Sequence, residues 1–298
     1  MEPGRPGKGL AWGNWQLAIG RGRGPARRDK ACWAAPSRAF ERGKKKKKKK
    51  KKKKTLDLIS FFSIIHSISS YSPLQVLDDS TDKTTRDLVD DKVAEWRERG
   101  VNVYALRRTN RSGYKAGALK EGLEELADFD YVAIFDADFK PEPDFLTSTV
   151  PYLIDNPEVG YVQARWTFTN PDESYLTKAQ EISLNFHVKC EQWVHFAEGT
   201  FFNFNGTAGV WRRKTIVTVG GWQSRTTVED MDLSLRTFIN GWKAIYLTDV
   251  TCVNELPAQF AAYRKQQHRW TCGPIQLWLK ANKDIWASSL PLAAKINL

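Results

Sequence analysis

Apolar positions become periodic only from residue 74 onward. Leu74–Leu77 is a short apolar run that ends in Asp78-Asp79-Ser80, the pattern of a strand leaving a core. Leu88, Val89, Val93 and Trp96 recur at helical spacing, which predicts a helix over 84–99 that Gly100 stops. Beyond it, 101–106 reads as a strand, 115–126 as a helix and 131–135 as a strand buried on both faces. Helices are expected over 145–153 and 176–197, a late strand around 244–246, and a final helix over 259–279. Trp270 and Trp278, eight apart on that last helix, are expected on nearly one face. Strands alternating with helices in this way imply an α/β fold with a mostly parallel sheet.

The first 73 residues follow no such pattern. Residues 1–43 are rich in Gly, Pro and Arg, and residues 44–54 are eleven consecutive lysines. The whole chain of 298 residues carries +12, but residues 1–54 alone carry +17, which leaves the rest at −5. The basic character therefore belongs to a tail of 1–54, expected to be a disordered low-complexity segment. A nucleic-acid-binding fold would carry its positive charge on the folded face, so no nucleic-acid partner is expected. Residues 55–73 are ill-defined. The apolar stretch 56–71 contains Asp57, His66 and five serines, too short and too polar for a spanning helix. Four cysteines lie far apart without a C-x-x-C pair, so neither a disulfide framework nor a zinc site is expected.

Several polar clusters fall where strands end. Asp136 and Asp138 follow the 131–135 strand and point the same way in an extended segment. Open α/β sheets bind ligands at that carboxyl end. Two hard oxygens there suit Mg²⁺ or Mn²⁺ bridging a diphosphate, although a bare D-x-D also occurs in solvated turns. Asp78-Asp79 repeats the placement, and the turn after it can equally cap the next helix. Lys115, on a Gly-flanked loop entering a helix, could meet a phosphate. Thr227 and Asp230 have the form of a capping box, yet Glu229, Asp230 and Asp232 exceed what a cap needs. A carboxylate there could serve as a general base. Gln266, Arg269 and Trp270 add an amide, a fixed cation and an indole, although a lone Arg-Trp pair on a helix is more often ordinary surface and core. His187 and His195 are read as structural.

In order, Asp78-Asp79, Asp136-x-Asp138, Thr227-x-Glu229-Asp230 and Gln266-x-x-Arg269-Trp270 resemble a processive family-2 glycosyltransferase of the cellulose synthase superfamily. Segments 110–122, 162–166 and 204–211 resemble the plant and algal cellulose synthase-like group A, the glucomannan 4-β-mannosyltransferases, with group C second. The resemblance covers about 74–285. It implies a GT-A-type domain over 74–255, short of the family's first strand and base-cradling loop. An amphipathic interfacial segment over 256–298 would follow, ending before the expected transmembrane helices. The reaction implied is inverting transfer of β-1,4-linked mannosyl or glucosyl units from GDP-mannose or UDP-glucose to a growing polysaccharide acceptor.

By the same resemblance Asp78 and Asp79 would hold the nucleoside and Lys115 the diphosphate. Asp136 and Asp138 would bind nucleotide and a divalent cation, Mg²⁺ or Mn²⁺. Asp230 would be the base and Arg269 would steady the leaving diphosphate. Phe204, Asn205, Gly206, Gln266 and Trp270 would meet the acceptor. Full-length relatives of this kind are Golgi membrane proteins with the domain facing the cytosol. The alternative is a catalytically inactive fragment acting as a binding or regulatory module.

Overall fold

The computed structural model describes residues 14–19 and 72–298. In chain order these form β1 (Asn14–Ile19), β2 (Leu74–Leu77), α1 (Lys83–Glu98), β3 (Val103–Leu106), α2 (Tyr114–Glu124), β4 (Tyr131–Asp136), β5 (Lys140–Pro141) and α3 (Phe145–Asp155). Then come β6 (Val159–Phe168), α4 (Tyr175–Phe186), a π-helical turn (His187–Glu191), α5 (Gln192–Ala197), β7 (Gly209–Arg212) and α6 (Arg213–Thr218). The chain continues through α7 (Glu229–Ile239), β8 (Lys243–Asn254), α8 (Phe260–Ala287) and α9 (Leu292–Ile296).

The strands form one sheet in the order β3-β2-β1-β4-β7-β6-β8-β5. β2 with β3 and β6 with β8 pair in parallel, and the other neighbours pair antiparallel. Followed through these pairings, β2, β3, β4, β6 and β8 all run one way. Their carboxyl ends therefore open on one edge of the sheet, where the polar clusters gather. The core lies between sheet and helices and includes Leu74, Val132, Ile134, Val162, Val210, Trp211 and Leu233, all fully buried.

β1 corrects the expectation of a wholly unstructured tail. It lies between β2 and β4, antiparallel to both, with Asn14 opposite Leu77 and Asp136. The physical reason is that two strands facing across a one-strand gap leave rows of backbone N–H and C=O groups to satisfy. Asn14–Ile19, free of Gly, Pro and charge, is able to satisfy them. The other residues of 1–54, and 55–71, lie outside the described residues.

α8 also departs from expectation. Leu277, Ala281 and Ile285 bury against Val228 and Leu235 as a small second cluster. Trp270 packs on the main core, whereas Trp278 is about half exposed. Eight residues advance 80° past two full turns, so the two indoles face differently. Ile275, Leu279 and Trp286 leave an exposed apolar stripe on the far side. No described helix is long and apolar enough to cross a membrane.

Candidate active site

β2 and β3 pair with Leu77 opposite Leu106, so the residues that follow them are also neighbours. Arg107 Nε donates to Asp78 at 2.8 Å, and Arg108 Nε donates to Asp79 at 3.0 Å. Asp78 is almost wholly buried and also accepts from the Ser80 amide at 3.0 Å. Its carboxylate is thus committed inside the domain rather than offered to a ligand. Arg108 further donates to the carbonyls of Ser112 (2.8 Å) and Tyr114 (2.9 Å), tying the Lys115 loop to Asp79. Both arginines escape a motif search, although their position directly after a predicted parallel strand would have exposed them. Asp82, three residues before Thr85, is the cap of α1.

At the end of β4 the clusters converge. Lys115 Nζ donates to Asp136 Oδ1 at 2.5 Å and to the Gly206 carbonyl at 2.9 Å. The Asp136 amide donates to Thr207 Oγ1 at 2.8 Å. Gly206 has φ +79, and a Cβ added there would lie 2.7 Å from Asp230 Oδ2 and 3.6 Å from Lys115 Nζ. Burial opposes the Lys115 charge, but the Asp136, Glu229 and Asp230 carboxylates together hold its pKa above the ordinary value.

The carboxylates respond in the opposite sense. Dehydration, with the Asp230 charge beside it, pushes Glu229 up to about 7, and dehydration outweighs Lys115 in raising Asp230. Asp138 is exposed to solvent on one side. Crowding by protein there, with the Asp136 charge, pushes its carboxyl up to about 6. Several acids thus share one ammonium. Asp136, Glu229 and Asp230 gather around Lys115, and Asp138 lies beside Asp136 and Lys115.

The capping reading of Thr227 fails. α7 begins at Glu229 after Val228, and no side chain caps it. The first amides of the helix meet the carboxylates of Glu229 and Asp230 themselves. Asp232 serves another purpose. It is fully buried and receives Arg225 Nε at 2.7 Å and Arg236 Nη2 at 2.7 Å. Arg236 Nη2 also holds the Gly221 carbonyl at 2.8 Å, so this triad anchors the loop leading to Asp230.

The acceptor assignments divide. Phe204 is buried edge-on against Tyr161 and Trp211, and the Asn205 amide is paired with Gln192 at 2.7 and 2.8 Å. These two side chains do not face an acceptor; what the segment turns toward Asp230 is Gly206. On α8, Gln266, Arg269, Trp270 and Gly273 fall within one helical face by spacing. Gly273 lies so close to Val228 that a side chain there would collide with it, and Thr227 Oγ1 would be 3.2 Å away. That contact brings the Gln266–Trp270 face to Thr227 and Val228, directly before the helix that carries Asp230. Arg269 is exposed and Trp270 half-buried.

Residues 63–273 match the family described as "Glycosyltransferase like family 2". The chain belongs to glycosyltransferase family 2. Within it, Glucomannan 4-beta-mannosyltransferase 1 of Cyamopsis tetragonoloba is 52% identical over 228 residues, 76% of this chain and 43% of that protein. Glucomannan 4-beta-mannosyltransferase 9 of Arabidopsis thaliana is 55% identical over 214 residues, 71% of this chain and 40% of that one. This family-2 chain therefore spans less than half the length of these relatives. Its fold is GT-A-like. It resembles the mannosyltransferase PcManGT from Pyrobaculum calidifontis in complex with GDP-Man and Mn2+, with TM-score 0.58 and 22% identity over 77% of this chain and 61% of that one. S. aureus TarS aligns with TM-score 0.51 and 12% identity over 80% of this chain and 39% of that one.

Proposed function

We propose that this domain catalyses inverting transfer of β-1,4-linked mannosyl units from GDP-mannose to a growing hemicellulose chain, with UDP-glucose as the second donor to test. The observation that carries this reading is the convergence of Lys115, Asp136, Glu229 and Asp230 around Gly206 at the carboxyl edge of the sheet. The 52% and 55% identical relatives, named as mannosyltransferases, favour mannose over glucose.

In this reading the Asp230 carboxylate takes the proton from the acceptor 4-hydroxyl as its oxygen forms the new bond to the anomeric carbon. The bond to the diphosphate breaks on the opposite face, so configuration inverts. A raised pKa makes Asp230 a stronger base than a free aspartate. Lys115 and Arg269 would meet the departing diphosphate, and Trp270 would stack on the acceptor sugar.

Asp136 and Asp138 fit a divalent cation. Their oxygens are hard donors, and their charge would repel a diphosphate unless compensated. Among the described residues no three His, Cys, Asp or Glu side chains are arranged to hold an ion alone, so the diphosphate would supply further ligands. Bound there, Mg²⁺ or Mn²⁺ would supply positive charge to the diphosphate. We place the domain at the cytosolic face of the Golgi membrane. The exposed stripe Ile275, Leu279 and Trp286 and the free Cys190, Cys252 and Cys272 support that setting.

One observation favours the alternative of a catalytically inactive module acting in binding or regulation. The resemblance implies a strand leading into a base-cradling loop, and the strand beside β2 and β4 here runs the opposite way. Incubating the chain with labelled GDP-mannose or UDP-glucose and β-1,4-manno-oligosaccharides decides between them. Chain extension with GDP-mannose is expected. A folded chain that extends the acceptor from neither donor would establish the inactive module instead.

A further inference from the structure

The π-helical turn between α4 and α5 lies outside the mechanism above, yet it governs which side chain enters the site's supporting layer. Thr177, Gln180, Val188 and Gln192 are the buried residues along this long helix. A π turn accommodates one extra residue, which carries Gln192 back onto the buried line. The Tyr246 hydroxyl donates to the Val188 carbonyl at 2.5 Å and so fixes the turn.

Gln192 is almost completely buried and fully used. Its Nε2 donates to the Asn203 carbonyl at 3.0 Å and to Asn205 Oδ1 at 2.7 Å, while its Oε1 accepts from Asn205 Nδ2 at 2.8 Å. On the other side, the Asn205 backbone N–H donates to Gln163 Oε1 at 2.9 Å. The Phe204 amide donates to Ser234 Oγ at 2.8 Å, and that hydroxyl donates to the Asp230 carbonyl at 2.7 Å. Gly206, which follows Asn205, lies so near the Asp230 carboxylate that a Cβ there would meet Oδ2 at 2.7 Å. A buried amide pair has no water to replace a lost partner, so breaking it frees the segment it holds.

We propose that Gln192 is a positioning residue for sugar transfer: by clamping Asn205 it holds Gly206 against Asp230. This rests on the assignment of Asp230 as the base, but the clamp itself can be measured without turnover. The charged groups facing Asp230 are Lys115, Asp136 and Glu229, whereas the hydrogen bonds of Gln192 go to Asn203 and Asn205. A change at Gln192 should therefore reach Asp230 only through the loop.

The test compares wild type with Gln192→Ala and with the swapped pair Gln192→Asn/Asn205→Gln, which keeps two facing amides of the same total length. Mannosyl transfer from GDP-mannose is followed across pH, and hydrogen exchange is followed over 203–208. Gln192→Ala should lower kcat about tenfold or more, leave the donor KM within about twofold, move the acid limb of kcat to lower pH as Asp230 gains water, and speed exchange in 203–208. The swapped pair should recover the wild-type pH limb and exchange. An unchanged pH limb in Gln192→Ala, or a kcat loss that only tracks thermal stability, overturns the proposal. If Gln192→Ala does not fold, the swapped pair decides: a folded pair with a displaced pH limb contradicts the clamp. Should wild type transfer no sugar, the functional reading fails, and unchanged exchange in 203–208 of Gln192→Ala would separately sink the clamp.

Discussion

Gly206 and Asp230 leave no room between them for a side chain: a methyl group on Gly206 would lie 2.7 Å from Asp230 Oδ2. Gly206 also has φ +79, so two independent demands exclude a side chain at this position. Gly206→Ala is therefore expected to cost about 1–3 kcal/mol in backbone strain and to displace Asp230. Transfer should fall at least tenfold while GDP binding changes little. Steady-state kinetics beside calorimetric titration of GDP checks both halves.

Asp232 neighbours the base in sequence but belongs to a buried Arg225–Asp232–Arg236 triad. Asp232→Ala leaves Arg236 uncompensated in the interior, a change expected to cost about 3–5 kcal/mol. Urea unfolding of the two proteins measures it. A loss below about 1 kcal/mol would mean that the triad does not hold the loop.

The outline of the fold was legible where one signal dominated. Leu74–Leu77, apolar but for Gln75, and the apolar strand into Asp136 are short runs bounded by polar turns, and both form as read. β6 was hidden because Gln163 and Arg165 interrupt its apolar run. Gln163 is nonetheless buried, its amide donating to the Thr207 and Ala208 carbonyls. β1 was hidden by the Gly- and Arg-rich text around it, and its strand state depends on a slot that only the folded sheet creates. For the site, carboxylates after strands were visible in the sequence. Their partners were not: Arg107 meets Asp78 across 29 residues, and Asn205 turns inward to an amide supplied by the helix.

The carboxyl of Glu229, at about 7 against an ordinary 4.5, makes a pH prediction with a definite sign. The folded state binds the proton more tightly than the unfolded state, so folding takes up a proton between those values. The stability contributed by this group is fully present below about pH 4.5 and is lost as pH rises through about 7. Glu229→Gln removes the dependence. Denaturant titrations at pH 5 and pH 8 should show the variant gaining on wild type at pH 8, and an equal difference at both would contradict the assignment.

Nucleotide binding should need a divalent cation. Asp138→Ala, or EDTA with wild type, is expected to weaken GDP binding by at least tenfold, since two carboxylates facing a diphosphate need positive charge between them. Titration calorimetry with and without Mn²⁺ reads it. Equal affinity in EDTA would remove the metal from the assignment.

Asp230→Asn keeps the shape of the base and removes its ability to take a proton. With labelled GDP-mannose and a manno-oligosaccharide acceptor, the variant is predicted to lose at least about 10²-fold in transfer rate while binding GDP as wild type does. A variant that retained more than about a tenth of the wild-type rate would show that Asp230 is not the base.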